Sequence, residues 1–453
     1  MKNQNDFINN TRIVKAIVLL MTVLLLNGCG DSKERSHETG KNNKVELEKS
    51  DEGFNLYLGE EPYFIKGART LGTRYMEEVA KYGGNSVRVG FHSIDTVLDK
   101  AENLGLTVLF GLPVKAQRSG FNYDDEEAVQ EQFNRMKKTV KKYKDHPAVL
   151  MWVIGNELDH IPGRETYNKK VWDAVNDIAE MIHKVDPDHP AMTVIGTGRK
   201  EKLKDIKERC PDIDLLGINS YADIFEVPDW LRKYNWNKPY VVTEWGPSGH
   251  WQVPKTKWGV AIEETSTEKA DLYRKKYEKV IQGDPMCVGS YAFLWTSRRQ
   301  ERTHTWYNMF FRNGLEKEAV EVMQYMWTCE WPDNRSPRIE SITIGGKEAE
   351  EDVSVAAGSI NPAKVVASDP DSDELQIEWN LLPVPEEFGA YAGQGETMPE
   401  PVKGFVKSEE SGQILFEVPH KEGRNYRLFV YVYDDHGHVA VGNVPFYVRN
   451  AEK

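Results

Sequence analysis

The stretch WVIGNELDH, Trp152 to His160, puts an amide and a carboxylate, Asn156 and Glu157, directly behind an unbroken apolar run. A second carboxylate, Glu244, stands in the same position in YVVTEWG. A strand buried on both faces has no use for an ionisable group, so an acid at its end faces a cavity, caps the next helix or joins a surface ion pair. Each glutamate alone is open to any of these readings. Two carboxyls held about 5–5.5 Å apart can instead carry out a double displacement at an acetal carbon, one protonating the leaving group and the other attacking. That chemistry requires a fold that brings the two strand ends face to face.

The surrounding pattern supplies one. From about residue 63 to residue 331, short apolar runs alternate with longer amphipathic ones. The short runs are YFIKG, NSVRVG, LTVLFGL, AVLMWVIGN, AMTVIG, LLGINSY, YVVTEWG and VGSYAFLW. They are mostly apolar on both faces, as strands of a helix-covered parallel sheet are. Between them the spacing predicts helices over 74–82, 94–103, 126–143, 167–184, 201–209, 229–234, 267–282 and 316–326. Val171, Ala174, Val175 and Ile178 illustrate the helical period. Eight such alternations fit a (β/α)8 barrel. An open doubly wound sheet is disfavoured because no glycine-rich phosphate loop follows the first strand.

In a barrel of this kind catalytic groups sit at the C-terminal ends of the strands. Those ends carry Arg88 after strand two, Asn156 and Glu157 after strand four, and Tyr221 after strand six. Strand seven ends with Glu244 and Trp245, and strand eight with Trp295. The motifs GNE at 155–157 and TEWG at 243–246, with NSVRV on strand two and a Trp closing strand eight, resemble clan A retaining glycoside hydrolases, and the barrel resembles that of family 2. The resemblance implies that Glu157 is the general acid/base and Glu244 the nucleophile, kept ionised by Arg88 and Tyr221. It further implies that Asn156 binds the sugar 2-hydroxyl and that Trp295 floors the reacting sugar; Trp245, an aromatic just past strand seven, is a candidate for lining a glycan cleft. For Tyr221 and Trp295, packing at the barrel rim is the competing reading. Phe91, Trp251, Trp258 and Trp306 are further aromatic candidates for a glycan cleft. His92, His160, His250 and His304 fall on the same face without metal-ligand spacing, so contact with solvent or sugar is expected of them.

After WPDNRSP at 331–337 the pattern changes to short alternating strands separated by turn residues, predicting an all-β Ig-like or cadherin-like sandwich. In it, Asp369, Asp371 and Asp373, with Asp434 or Asp435, could hold calcium. The run lacks the Gly at position six and the Glu at position twelve of an EF-hand loop, and an ordinary acidic turn is the favoured reading. No other metal or cofactor is expected.

At the N-terminus, Lys2, Arg12 and Lys15 precede an apolar core of 11 residues, Ala16 to Leu26, shorter than the ~20 a spanning helix needs. The core runs into Leu26-Asn27-Gly28-Cys29, which resembles a bacterial lipobox and implies cleavage before Cys29 and lipidation of its thiol. The expected organisation is a signal peptide over 1–28, a polar tether over 29–52, the catalytic barrel over 53–332 and the sandwich over 333–453. The expected location is the cell envelope, with a lipid anchor in the outer membrane. Cys210, Cys287 and Cys329 form a sparse, odd set that argues against a disulfide framework, although one bridge is possible, and the favoured reading is buried small side chains. A net charge of −13 with no basic patch argues against a nucleic-acid partner. The chain is read as a monomer.

Family 2 members usually place a jelly-roll and a sandwich before the barrel. A barrel followed by an Ig-like domain on a lipoprotein is closer to the endo-β-1,3-glucanases of family 158. The expected partner is therefore a β-glycan, with an endo-β-1,3-glucanase activity as one form of it. Alternatives are an exo-acting family 2-type β-glycosidase, a transglycosylase on the same barrel, and a non-enzymatic surface glycan-binding lipoprotein, which would have no need of paired glutamates.

Overall fold

The structure, a computed structural model, describes residues 43–450 except 165, 198–201 and 387–395. Cys29, read as the cysteine of a lipobox-like stretch, lies outside the described residues. The chain opens with β1 (Val45–Lys49), β2 (Phe54–Leu58) and β3 (Glu61–Pro62), a small antiparallel sheet. Part of the stretch read as polar tether is therefore a strand. Its apolar residues Val45 and Leu56 join Tyr63 and Ile65 in a cluster with Leu109, Met151, Val194 and Val241, so the sheet closes the bottom of the barrel.

The barrel follows: β4 (Ile65–Thr70), β5 (Ser86–Arg88), β6 (Thr107–Leu112), β7 (Val149–Asn156), β8 (Ala191–Gly196), β9 (Leu215–Asn219), β10 (Tyr240–Trp245) and β11 (Cys287–Trp295). The strands are parallel and close on themselves through the β11–β4 pair. Each of the eight quoted apolar runs supplies one of them. Strand alternation divides the core. On β7, Met151 and Val153 fill the barrel, whereas Trp152 and Ile154 pack outward against the helices.

Helices form at Ile94–Asn103 and Glu126–Tyr143, as the periodicity predicts. The second opens on Asp125, whose carboxylate accepts from the Ala128 amide at 3.0 Å, an N-cap. The expected helix over 167–184 begins later, at Lys170–Val185. The one over 267–282 is an α-helix at Ser266–Lys276, started by a Thr265–Glu268 capping box, and then a wider π turn at Tyr277–Ile281. Cys210 and Cys287 are buried free thiols, as expected; Cys329, at the end of helix Glu318–Thr328, is only half-buried and is disulfide-bonded.

The C-terminal part is the expected sandwich. One sheet holds β12 (Arg338–Ile344), β14 (Ile360–Ser368), β16 (Val406–Glu410) and β17 (Gln413–Glu417). The other holds β13 (Ser354–Ala356), β15 (Gln376–Pro383), β18 (Asn425–Tyr433) and β19 (Val439–Arg449). Ile342, Val365, Phe416, Val430 and Phe446 are among the side chains that meet between them.

A buried polar network ties the sandwich to the barrel. Glu263 accepts from Lys269 at 2.6 Å, from Thr305 at 2.8 Å and from Asn443 of β19 at 2.8 Å, and Asn443 in turn accepts from Arg427 at 2.7 Å. Burial alone would raise the Glu263 pKa, but Lys269 and Arg427 pull it down to about 2. His304 lies half-buried between Phe311 and Phe429 and meets the Tyr431 hydroxyl at 2.9 Å. Desolvation there lowers its pKa to about 4. A depressed histidine pKa means the unfolded chain takes up a proton that the folded chain refuses. Stability is then complete above about pH 6.5 and is lost as pH falls from 6.5 to 4. Replacing His304 by Gln is expected to flatten the pH dependence of thermal stability in that window, by up to about 1.4 kcal/mol per pH unit, and to leave it unchanged above pH 7. Thermal melts of both proteins from pH 4 to 8 read this directly.

Candidate active site

Two of the groups singled out at the strand ends, Glu244 and Asn156, meet on one buried arginine. Arg88 points into the barrel from β5, and its Nη1 donates to Glu244 Oε1 at 2.7 Å and to the Thr243 carbonyl at 2.8 Å. Its Nη2 donates to Asn156 Oδ1 at 2.6 Å. The side chains of Arg88 and Glu244 are 9% and 17% exposed, so this is an ion pair largely withdrawn from water. Tyr221 completes the shell of Glu244, its hydroxyl donating to Oε2 at 3.3 Å. Burial and the nearby Glu244 charge hold the Tyr221 phenol well above its ordinary pKa, which keeps it a donor.

Asn219, at the end of β9, joins the two carboxylates into one network. Its Nδ2 donates to Glu157 Oε1 at 2.8 Å and to Asn156 Oδ1 at 3.1 Å, while its Oδ1 accepts from Thr243 Oγ1 at 2.8 Å. Asn156 Oδ1 thus accepts from Arg88 and Asn219 together, which fixes the amide orientation and leaves Nδ2 for another partner. Nothing in the sequence reading selected Asn219. Its signal was parity: it lies two residues before Tyr221 in LLGINSY.

Simple alternation on β7 would send Asn156 and Glu157 to opposite faces. The register with β8 shifts between Val153 and Asn156, Gly155 adopts φ 76°, and Glu157 itself adopts φ 47°. The irregularity brings both side chains into the same network. A Cβ at Gly155 would strike the Leu158 side chain at 2.6 Å. Arg118, from the loop after β6, holds this strained end by donating to the carbonyls of Glu157 and of Asn156, the latter at 3.0 Å. Gly196 gives Glu157 room, since a Cβ there would come within 3.1 Å of Oε1.

Two expected sugar contacts are corrected. Trp245 is fully buried and packs outward on Tyr273 and Tyr277 of the helical layer. With Glu244 turned inward, its neighbour must face the other side. Trp295 is also fully buried, against Tyr82, Phe310 and Trp327. The pairing of β11 with β4 shifts between Ala292 and Trp295, so the last residue of β11 faces the helices. The aromatic wall beside Tyr221 is built instead from Phe293 and Tyr307, with Trp251 edge-on at 5.5 Å and 48% exposed. Trp306 is buried, and Trp258 stacks on Tyr447 of the sandwich, so neither is free to line a cleft. Phe91 is exposed, as are His92 and His160; His250 is buried beside Glu301.

In the sandwich, the carboxylates of Asp369, Asp371 and Asp373 lie within 4.8 Å of one another. Asp369 Oδ1 accepts from the amides of Asp371 and Asp373, Asp371 accepts from the Arg335 amide, and Asp373 from Asn334. These bonds are those of an acidic turn. Asp434 is engaged by His438 and two amides, and Asp435 by Gln376.

The packing of Trp295 has a measurable consequence. Trp295→Ala is expected to destabilise the protein by ~3–5 kcal/mol, whereas Trp295→Phe leaves KM within about twofold of wild type. A large rise in KM with unchanged melting temperature would instead restore Trp295 to the cleft.

Comparison with known proteins agrees with the geometry. Residues 88–252 match the Glycosyl hydrolases family 2, TIM barrel domain. A β-glucuronidase of Streptococcus agalactiae is 22% identical over 298 residues, covering 54% of this chain and 44% of that protein. A β-glucuronidase of Paenibacillus borealis is 21% identical over 276 residues, covering 54% and 43%. The chain thus spans less than half the length of these relatives. Among solved structures, Bacteroides uniformis β-glucuronidase 2, covalently bound to cyclophellitol-6-carboxylate aziridine, superposes with a TM-score of 0.51 at 14% identity, covering 89% of this chain and 48% of that one. At that identity the likeness speaks for the fold. The paired strand-end glutamates thus lie on a barrel whose residues 88–252 are similar to the TIM barrel domain of glycosyl hydrolases family 2.

Proposed function

We propose that the chain is a retaining β-glycosidase acting on a terminal sugar, with Glu244 as nucleophile and Glu157 as general acid/base. The observation that carries this reading is the single hydrogen-bonded network in which Arg88, Asn156 and Asn219 link the two glutamates. Glu244 accepts from a guanidinium and a phenol, the surroundings of a carboxylate that must stay ionised. Glu157 has one oxygen held by Asn219, and its other oxygen is available for a proton. In the first step Glu157 gives that proton to the departing glycosidic oxygen while Glu244 bonds to the anomeric carbon. In the second, Glu157 removes a proton from the attacking water, and the Glu244–carbon bond breaks. The Asn156 Nδ2 donates to the sugar 2-hydroxyl oxygen, a bond that tightens as charge develops on the ring.

The β-glucuronidase relatives support exo action over the endo-β-1,3-glucanase expectation. The basic N-terminus, the apolar run and the lipobox-like Cys29 support an exported, lipid-anchored protein of the cell envelope. Among the described residues no helix is long and apolar enough to cross a membrane.

Glu244→Ala is expected to abolish turnover of aryl β-glycosides. Glu157→Gln is expected to keep the first step on a 2,4-dinitrophenyl glycoside, whose leaving group needs no proton, so that a burst of dinitrophenol precedes slow turnover, and to lose activity on alkyl glycosides. Near-wild-type hydrolysis by either variant on alkyl glycosides would sink the assignment. The first-formed sugar, followed by NMR, is expected to be the β-anomer; inversion would exclude the double displacement. Asn219→Ala is expected to lower kcat/KM by about 10- to 100-fold, since it frees Glu157 Oε1 and half of the support of Asn156.

A further inference from the structure

Three arginines on the loops and strand ends around the mouth are paired with an acid. Arg88 is paired with Glu244 at 2.7 Å, Arg299 with Glu301 at 2.8 Å, and Arg302 with Glu396 of the sandwich at 2.9 Å. Arg69 does not follow this pattern. It lies on β4 with the parity of Ile65, which faces the barrel interior, and its charge interacts with Arg88, Glu244, Arg299 and Tyr221. Its Nη1 donates to the carbonyls of Thr70 at 2.9 Å and Arg88 at 3.1 Å, and no carboxylate pairs with it among the described residues. Desolvation, with repulsion from Arg88 and Arg299, lowers its pKa to about 10, so it keeps its charge at neutral pH. A half-buried guanidinium held in place by backbone carbonyls, with its other nitrogens unclaimed, is a preorganised acceptor of an anion.

The barrel order places this group relative to a bound sugar. Going round the barrel, β4 is followed by β5, β6 and then β7, so Arg69 stands well across the mouth from Asn156. In a pyranose, C2 and C5 lie opposite one another across the ring. With the 2-hydroxyl on Asn156, a substituent on C5 would point to the far wall, formed by β11 and β4. We propose that Arg69 recognises an anionic group there, a carboxylate at C6 or a sulfate ester on O6, and that it makes the enzyme selective for acidic pyranosides. This rests on the glycosidase reading of the same cleft.

The test compares 4-nitrophenyl β-D-glucuronide, β-D-glucoside and β-D-glucoside 6-sulfate, with the corresponding galacto series, on the full chain. In the wild type, kcat/KM on one of the two anionic substrates is expected to exceed that on its neutral partner by at least about 100-fold, and which one does so separates carboxylate from sulfate. Arg69→Gln is expected to remove at least about 30-fold of that preference by lowering turnover of the anionic substrate, leaving the neutral rate within about threefold. Arg69→Lys is expected to restore part of it. Equal rates on neutral and anionic substrates in the wild type, or an equal loss on both in Arg69→Gln, would overturn the inference and leave the glycosidase reading intact. Should Arg69→Gln not fold, the unmodified chain still decides. A glucuronic-acid-configured iminosugar is expected to inhibit at least about tenfold more tightly than its glucose-configured counterpart, and equal inhibition overturns the proposal. No turnover of any of the six glycosides, with no glycosyl adduct on Glu244 after a 2-fluoro glycosyl fluoride, would overturn the glycosidase reading and this inference with it.

Discussion

A buried guanidinium must find acceptors on every side, and that requirement at Arg88 organises the mouth of the barrel. Its Nη1 takes Glu244 and a backbone carbonyl, and its Nη2 takes the Asn156 amide oxygen. Because both acceptors are also the groups a sugar would meet, satisfying the arginine fixes the site before any substrate arrives. Asn219 extends the same logic to the second glutamate, and Thr243 fixes Asn219 in turn. Preorganisation of this kind avoids spending binding energy on orienting the catalytic groups.

Delivering these side chains costs regularity in the strands. β7, β10 and β11 each carry a register shift at or near the C-terminal end, where a plain pleat would turn alternate residues away from the mouth. The left-handed backbone at Gly155 and Glu157 is the clearest case, and Arg118 and Asn219 hold it from two sides. The body of each strand stays regular, with inward residues filling the barrel and outward ones meeting the helices.

The sandwich is joined to the barrel through the loops that follow β10 and β11. Glu263, Lys269 and Thr305 of the barrel share one buried network with Arg427 and Asn443 of the sandwich, and Glu396 holds Arg302 beside the cleft. Loops that would otherwise be free to move are thereby anchored to a second core. The C-terminal domain is part of what shapes the mouth rather than a separate module beside it.

The sequence by itself determined the barrel, the sandwich and the two glutamates, because apolar period and strand-end position are local properties that a linear pattern records. It also pointed to Arg88, Asn156 and Tyr221, whose positions at strand ends are equally local. Only the tertiary structure decided which way the last residues of each strand face. Trp245 and Trp295 sit at the right places in the chain, yet the register shifts turn both into the helical layer, and a shift depends on the neighbouring strand rather than on the residue. For the same reason Asn219 and Arg69 were passed over: what singles them out is the set of groups opposite them, contributed by strands far away in sequence. The short sheet under the barrel was hidden too, since Val45 and Leu56 are two apolar residues in a polar stretch until the barrel floor gives them somewhere to bury.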